Sequence, residues 1–518
     1  MSGTPGTPSP APSGFADARA RRTFVTGLVL LALGAWLLRA LVVPAGPFHE
    51  DFHGYGALAL EPSSVPGYPR VTSSYLALMG ALGLRGEGLM DANRVVSALV
   101  VVPTGVVAAE LAGGALPGLL AAALVAVHPL LARLGASEDP FAFYALTLLT
   151  AVAVGRRALR RERPRLFAVG AVLASVAAFA RDSTVVAGPV FAVLVLQQLP
   201  TRRRWLYVVL GLAPFVAGAA RVLTFERLGP GDGLVTGPGG LQRLASIAHW
   251  ATRGGLQVMR TPALFPALAV LGLGVLLWRR PSAALRLAVA LGLLQGPFAV
   301  VLGTASSPYS PARHLSAAVV LWTVPAAALL AGLVDLAARP FPRVTGPWRA
   351  GAAVALMLVA LADAAAMLPR ATPVEREYVV MRECLRRLPA EARVQPLAEP
   401  RTSHVAAQSA WLRSERPAWK PRSAGVDFDD RWEGRAVPTV LLVDHGCSAD
   451  LTLDIAPDFS RATEPTPWGP MTPACAAAFR ARPWQAVLRV DLALDEPRPG
   501  QRAQVPVGCL VDAPVSER

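Results

Sequence analysis

The stretch "ARARRTFVTGLVLLALGAWLLRALVV", residues 18–43, decides the fold. From Phe24 to Val43 it is one apolar run, close to the roughly 20 residues that cross a bilayer as helix. It is too long for the apolar part of a secretory signal, and no small-residue cleavage site follows it cleanly. We therefore read it as a retained first transmembrane helix. Upstream, "MSGTPGTPSPAPSGFA" is rich in Gly, Pro, Ser and Thr without an apolar period, so residues 1–22 read as a disordered cytoplasmic tail.

Working outward, the chain of 518 residues is 53% hydrophobic and only 16% charged, more apolar surface than a soluble domain of that size can bury. The reading is a polytopic membrane protein. Apolar runs recur at about 24–44, 95–113, 115–132, 140–155, 166–180, 184–199, 205–223, 261–278, 284–303, 315–337 and 350–369, which predicts about 11 transmembrane helices. A net charge of +15 would suggest a nucleic-acid partner in a soluble chain; in a membrane protein it reflects cytoplasmic loops, and no nucleic acid is expected.

The arginines test that reading, since Lys420 is the one lysine. "ARARR" precedes the first span, "RRALRRERPR" follows the fourth, "TRRR" the sixth, "RRPSAALR" the eighth and "ARPFPRVTGPWR" the tenth. If the spans alternate, all five fall on one side, which the positive-inside rule makes the cytoplasm. The expectation is a multi-pass protein of the cell (inner) membrane with a cytoplasmic N-terminus. The loop holding "HEDFH", "LGASEDP" at 134–140, "ARDST" at 180–184, residues 224–260 and "SSPYSPARHL" at 306–315 then lie outside, and so does everything beyond residue 370.

Residues 371–518 read as a small C-terminal α/β domain on the extracytoplasmic side. "PVEREYVVMRECLRRLP" carries helical spacing, whereas "TVLLVD", "AVLRVDLAL" and "VPVGCLVD" read as strands. All four cysteines, Cys384, Cys447, Cys475 and Cys509, fall in this exported segment, which suggests two disulfides over four unpaired thiols, with the pairing open. No C-x-x-C is present, so zinc is disfavoured.

The expected outer loops hold the chemistry. "PFHEDFHGYGALAL", residues 47–60, sets Glu50 and Asp51 between His49 and His53, with Phe52 and Tyr55 alongside. Solvated loop charges are the plain reading of such a pair. Against it stand the imidazoles and rings, a second acidic pair at Glu138-Asp139, and the segment "SSVPGYPRVTSSYLALMGALGL", which reads as an amphipathic helix lying along the interface.

The order of these motifs resembles the GT-C glycosyltransferases, in particular the branch of protein O-mannosyltransferases and the aminoarabinose transferases of lipid A. Glu50-Asp51 stands, in reversed order, where that branch has an Asp-Glu pair, and His53 where its mannosyltransferases often have histidine. Gly67-Tyr68-Pro69 is similar to its His-Pro-Pro-x-Tyr stretch, "MDANRVVSAL" to the segment with a common arginine (here Arg94), and Glu138-Asp139-Pro140 to its acidic-x-Pro passage. "ARDST" matches a short lysine-containing turn, and "ARHLSAAVVLWTVPAAALL" an Arg-Tyr-x-x-Pro helix start. The likeness covers about residues 20–340.

The resemblance implies an all-α polytopic GT-C-like domain over 23–370. It also implies transfer of a sugar from a polyprenyl-phosphate donor to a lipid, glycan or protein acceptor on the extracytoplasmic face, with inversion. Glu50, or Asp51 beside it, would be the general base, a role worth about 10²–10⁴-fold. His53, Tyr55, Tyr68, Arg94, Glu138 and Asp139 would line the substrate site. The leaving phosphate suits a planar guanidinium. Arg181, Arg253, Arg260 and Arg313 are the external candidates, with Arg313 best matched and Arg181 next to Asp182. Glu138 and Asp139 with Glu50 or Asp51 offer the hard oxygen ligands that magnesium or calcium takes, although carboxylates alone do not specify a metal.

Two other classes compete. A transporter would carry ionisable groups within its spans; here Arg39, Glu110 and Asp363 are read as close enough to a span end to reach water or a partner. A catalytically inactive membrane scaffold subunit is the other. His128, ahead of Pro129 in a span, is expected to hydrogen-bond within the bundle.

Overall fold

The computed structural model describes residues 18–43, 70–84, 87–180, 186–196, 203–228, 262–302, 316–338 and 345–371, five strands beyond them, and a few single positions. Among these residues the helices are α1 (Ala18–Leu41), α2 (Arg70–Ala81), α3 (Glu87–Leu99), α4 (Val101–Ala108), α5 (Ala115–Val127), α6 (Pro129–Gly135) and α7 (Phe141–Arg160), followed by α8 (Pro164–Ala180), α9 (Ala187–Val195), α10 (Arg204–Leu228), α11 (Phe265–Arg279), α12 (Pro281–Leu302), α13 (Ser316–Ala338) and α14 (Thr345–Ala371). A π-helical turn, Ala109–Gly113, continues α4. Each expected span coincides with a helix or a helix pair.

At about 1.5 Å per residue the 24-residue α1 is roughly 36 Å long, enough to cross the hydrocarbon core. It already begins at Ala18, so the arginines of "ARARR" form its first turn rather than part of a tail. Four described helices, Ala18–Leu41, Gly88–Gly113, Phe141–Arg160 and Ser316–Ala337, are long and apolar enough to cross a membrane. The pair Ala115–Val127 and Pro129–Gly135, bent by 60°, makes a fifth if counted as one span. The other apolar helices are shorter.

Packing follows the sequence face by face. On α1, Phe24, Leu28 and Ala35 are buried while Val25, Val29 and Leu30 are exposed, as expected of a helix with one face on its neighbours and the other toward lipid. The core is rich in alanine and glycine, because small residues let helix backbones approach where lipid provides no hydrophobic drive for association. At Gly272 of α11 an added Cβ would collide with the Pro325 carbonyl of α13, so that contact requires glycine.

Helix ends sort the charges. At one end, Arg21 of α1 comes close enough to act on Arg161, together with Arg157, Arg160 and Arg163. Arg280 packs over Gly113 there, and Arg279 approaches Gly332. Glu110 meets Arg156 at 2.7 Å and also contacts Arg160, a partner as the sequence led us to expect. At the other end, the Arg94 guanidinium donates to the Val43 carbonyl at 2.9 Å. The arginine-bearing segments before the first span and after the fourth and eighth thus share an end, as alternation requires.

Beyond the helices, β1 (Arg393–Leu397), β2 (Thr439–Val443) and β5 (Ala486–Arg489) form a parallel sheet in the order β1-β2-β5, with Arg393 opposite Thr439 and Val440 opposite Ala486. β3 (Glu464–Thr466) pairs antiparallel with β4 (Gly469–Met471). "TVLLVD" and the start of "AVLRVDLAL" are strands as expected; β1 is an addition. "VPVGCLVD", the helix expected at 373–389 and all four cysteines lie outside the described residues.

Candidate functional site

The break between α5 and α6 has a local cause. Pro129 has no N–H, and its ring disfavours the helical region for the residue before it, so His128 takes φ −63°, ψ 121°. The sequence had suggested one span over 115–132; instead the chain bends by 60°. In a continuous helix the amides of residues 129 and 130 would bond the carbonyls of Val125 and Ala126. Arg39 of α1 takes their place. Its Nη1 donates to the Ala126 carbonyl at 3.0 Å and to Ala35 at 2.9 Å, while Nη2 reaches Val125 at 3.5 Å.

Arg39 is fully buried, so of the expected water or partner it takes the latter. It does find partners, all of them carbonyls. Gly135 makes room for it: a Cβ there would come within 3.0 Å of Arg39 Nε and would collide with Ser97. His128 is corrected. Neither ring nitrogen has a hydrogen-bond partner among the described residues, and the imidazole packs edge-on against Phe265 at 5.2 Å.

One helical turn later the chain reaches "SEDP". Glu138 and Asp139 are buried at 0% and 1% exposure, so they are not solvated loop acids. Asp139 Oδ1 accepts the Phe141 N–H at 2.9 Å, satisfying a free donor in the first turn of α7. Its own N–H donates to Ser137 Oγ at 3.2 Å, and that hydroxyl donates to the Leu134 carbonyl. Buried charge is costly unless compensated. Arg133 is buried on α6, just ahead of Glu138 and Asp139, and Arg39 lies beside Gly135 at the end of the same helix.

Asn93 ties this turn to its neighbours. Its Nδ2 donates to the Ser137 carbonyl at 2.8 Å and more weakly to that of Asp139 at 3.4 Å, while Oδ1 accepts from the Tyr75 hydroxyl at 2.5 Å. Tyr75 stacks on Phe143 at 4.6 Å. Next to Asn93, Arg94 pairs with Asp91 at 2.6 Å. Asp91 is largely exposed, so that pair contributes little; the bond to Val43 is what anchors the exit of α1.

Of the residues expected in the site, Arg94, Glu138 and Asp139 are gathered at one end of the bundle, beside the point where α1 ends. Glu50, Asp51, His53, Tyr55, Tyr68, Arg181, Arg253, Arg260 and Arg313 lie outside the described residues. Among the described residues no three His, Cys, Asp or Glu group as a metal site. Asn93, Tyr75 and Arg133 went unnoticed in the sequence, and Arg39 was noted only as a charge near a span end. For Asn93 a signal existed, since it shares a helical face with the buried Met90 and Ser97.

No protein-family model matches the sequence, and no curated protein does. Among solved structures, the chain is similar to the apo oligosaccharyltransferase of Archaeoglobus fulgidus, with 12% identity over 72% of this chain and a TM-score of 0.47. It spans 59% of that protein's length. It is also similar to ArnT from Cupriavidus metallidurans bound to undecaprenyl phosphate, with 14% identity, 81% of this chain, 86% of that one and a TM-score of 0.46.

Proposed function

We propose that the protein is an integral membrane glycosyltransferase, moving a sugar from a polyprenyl-phosphate donor to a lipid, glycan or protein acceptor on the extracytoplasmic face with inversion. The observation that carries this reading is the buried polar cluster around Glu138 and Asp139 at the bundle end where α1 finishes, opposite the arginine-rich end. Glu50 is seven positions beyond Val43, so even a fully extended chain reaches only about 25 Å from Val43.

In this reading the acceptor hydroxyl loses its proton to Glu50 or Asp51 as its oxygen attacks the anomeric carbon from the face opposite the phosphate. The bond to the phosphate oxygen breaks, and the lipid phosphate leaves on an arginine, Arg313 by preference. Glu138 and Asp139, held by Asn93 and the α7 turn, shape the floor of the site. A divalent cation would suit the four carboxylates as hard ligands. The segment 371–518 is taken as an extracytoplasmic cover over this face.

The test replaces Glu50 with Gln and Asp51 with Asn, singly and together. Loss of about a hundredfold or more in sugar transfer, with melting temperature and abundance unchanged, supports the base assignment. Full activity in the double variant refutes it.

One observation favours a transporter as the second reading. Arg39 is a buried charge at a broken helix, and transporters build their sites from such features. Solute uptake into vesicles free of lipid-linked sugar, lost on Arg39→Gln, would support that reading over the transferase.

A further inference from the structure

The turn from α7 into α8 concentrates positive charge beyond what the bundle needs. The Arg163 N–H donates to the Ala158 carbonyl at 2.9 Å and the Glu162 N–H to Leu159 at 3.2 Å, with Glu162 at φ 49°. These are the paired bonds of a Schellman cap, in a form usually built on glycine. The cap reverses the chain so tightly that Arg157, Arg160, Arg161 and Arg163 all emerge exposed on one small surface. Arg21 arrives from the first turn of α1.

Counterions for this group are scarce among the described residues. Glu110 is taken up by Arg156 and Arg160. Glu162, the acid of the turn, acts on Tyr207 at the start of α10 and is not among the groups that act on Arg161. Arg21, Arg157, Arg161 and Arg163 are left facing one another. Their mutual repulsion lowers Arg161 below the usual guanidinium range, with Arg157 contributing most.

Apolar surface begins immediately beside them. On α1, Val25, Val29 and Leu30 are exposed one to three turns from Arg21, and on α8 Val169 and Val172 are exposed two to three turns from Arg163. A cationic patch at the rim of a lipid-facing surface matches a molecule with an anionic head and apolar chains. A small free anion would satisfy only half of that surface.

We propose that Arg21, Arg157, Arg161 and Arg163 form a binding site for the phosphate headgroup of an anionic phospholipid, whose acyl chains lie along the exposed faces of α1 and α8. The site is at the opposite end of the bundle from Glu138 and does not depend on the transferase reading. Clusters of arginine at a helix–bilayer boundary attract anionic headgroups additively.

The full-length protein in detergent is titrated with cardiolipin and, separately, with phosphatidylcholine, and bound lipid is counted by native mass spectrometry. The comparison protein carries Arg157→Gln, Arg161→Gln and Arg163→Gln, all at exposed positions. We expect cardiolipin to bind the triple variant about a hundredfold more weakly, with phosphatidylcholine binding the two proteins alike. Arg161→Gln alone, expected to weaken binding about fivefold, serves if the triple variant is unstable. Equal cardiolipin affinity in wild type and variants overturns the proposal. Displacement of cardiolipin by millimolar inorganic phosphate overturns it too, since the site would then be one for free phosphate.

Discussion

At the residue scale, Asn93 shows how a polar side chain inside an apolar helix face can hold a site together. It joins α2 through Tyr75, the α6–α7 turn through Ser137, and α3 through its own backbone. Replacing it with alanine would strand the buried Ser137 carbonyl and Tyr75 hydroxyl, each worth about 1–3 kcal/mol when left unsatisfied. Asn93→Ala should therefore melt several degrees below wild type, whereas Tyr75→Phe, which removes only the hydroxyl, should cost about 1 kcal/mol. Thermal unfolding of the two variants and their double mutant checks both figures, and the pair should be clearly non-additive. The acids of "SEDP" were visible in the sequence. Their burial was not, because four polar or turn-forming residues in a row look like solvent-exposed loop; only the tertiary position of α3 over the turn encloses them.

At the element scale, the α5–α6 break was half legible. The residue before a proline avoids the helical region, so His128-Pro129 marked a boundary that the continuous hydropathy of 115–132 concealed. What no local pattern could supply was Arg39, which lies 86 and 87 residues away from the carbonyls it bonds. Its role yields a paired prediction. Arg39→Leu should destabilise the protein by about 3 kcal/mol, since buried carbonyls lose their donor. Adding Pro129→Ala should recover part of that loss, because an amide at position 129 again faces the Val125 carbonyl. Denaturant unfolding of the single and double variants measures the recovery; strict additivity would contradict the assignment of Arg39 as surrogate donor. The positions of the helices, by contrast, followed directly from apolar run length.

At the scale of the whole molecule, the distribution of arginines is the most economical statement of topology. The side-by-side placement of Arg21, Arg157 and Arg163, and of Arg280 over Gly113, is what an alternating chain produces. If that end is cytoplasmic, an epitope tag inserted after Gly54 should be accessible to an impermeant antibody in intact spheroplasts, and a tag at the N-terminus only after permeabilisation. The reverse pattern would move the proposed site to the ATP-bearing side and remove the basis for a lipid-linked donor. Helix number was harder to read than helix location, since several described helices are shorter than a full span and a bend divides another.

The central claim is the chemistry, and turnover tests it most directly. The purified protein, reconstituted in bilayers, is incubated with a panel of polyprenyl-phosphate sugars and an extract of candidate acceptors, while release of the polyprenyl phosphate is followed. Our account predicts that one donor is consumed and that Glu50→Gln with Asp51→Asn stops its consumption. Donors left intact throughout, alongside solute uptake that those two substitutions do not alter, would contradict it.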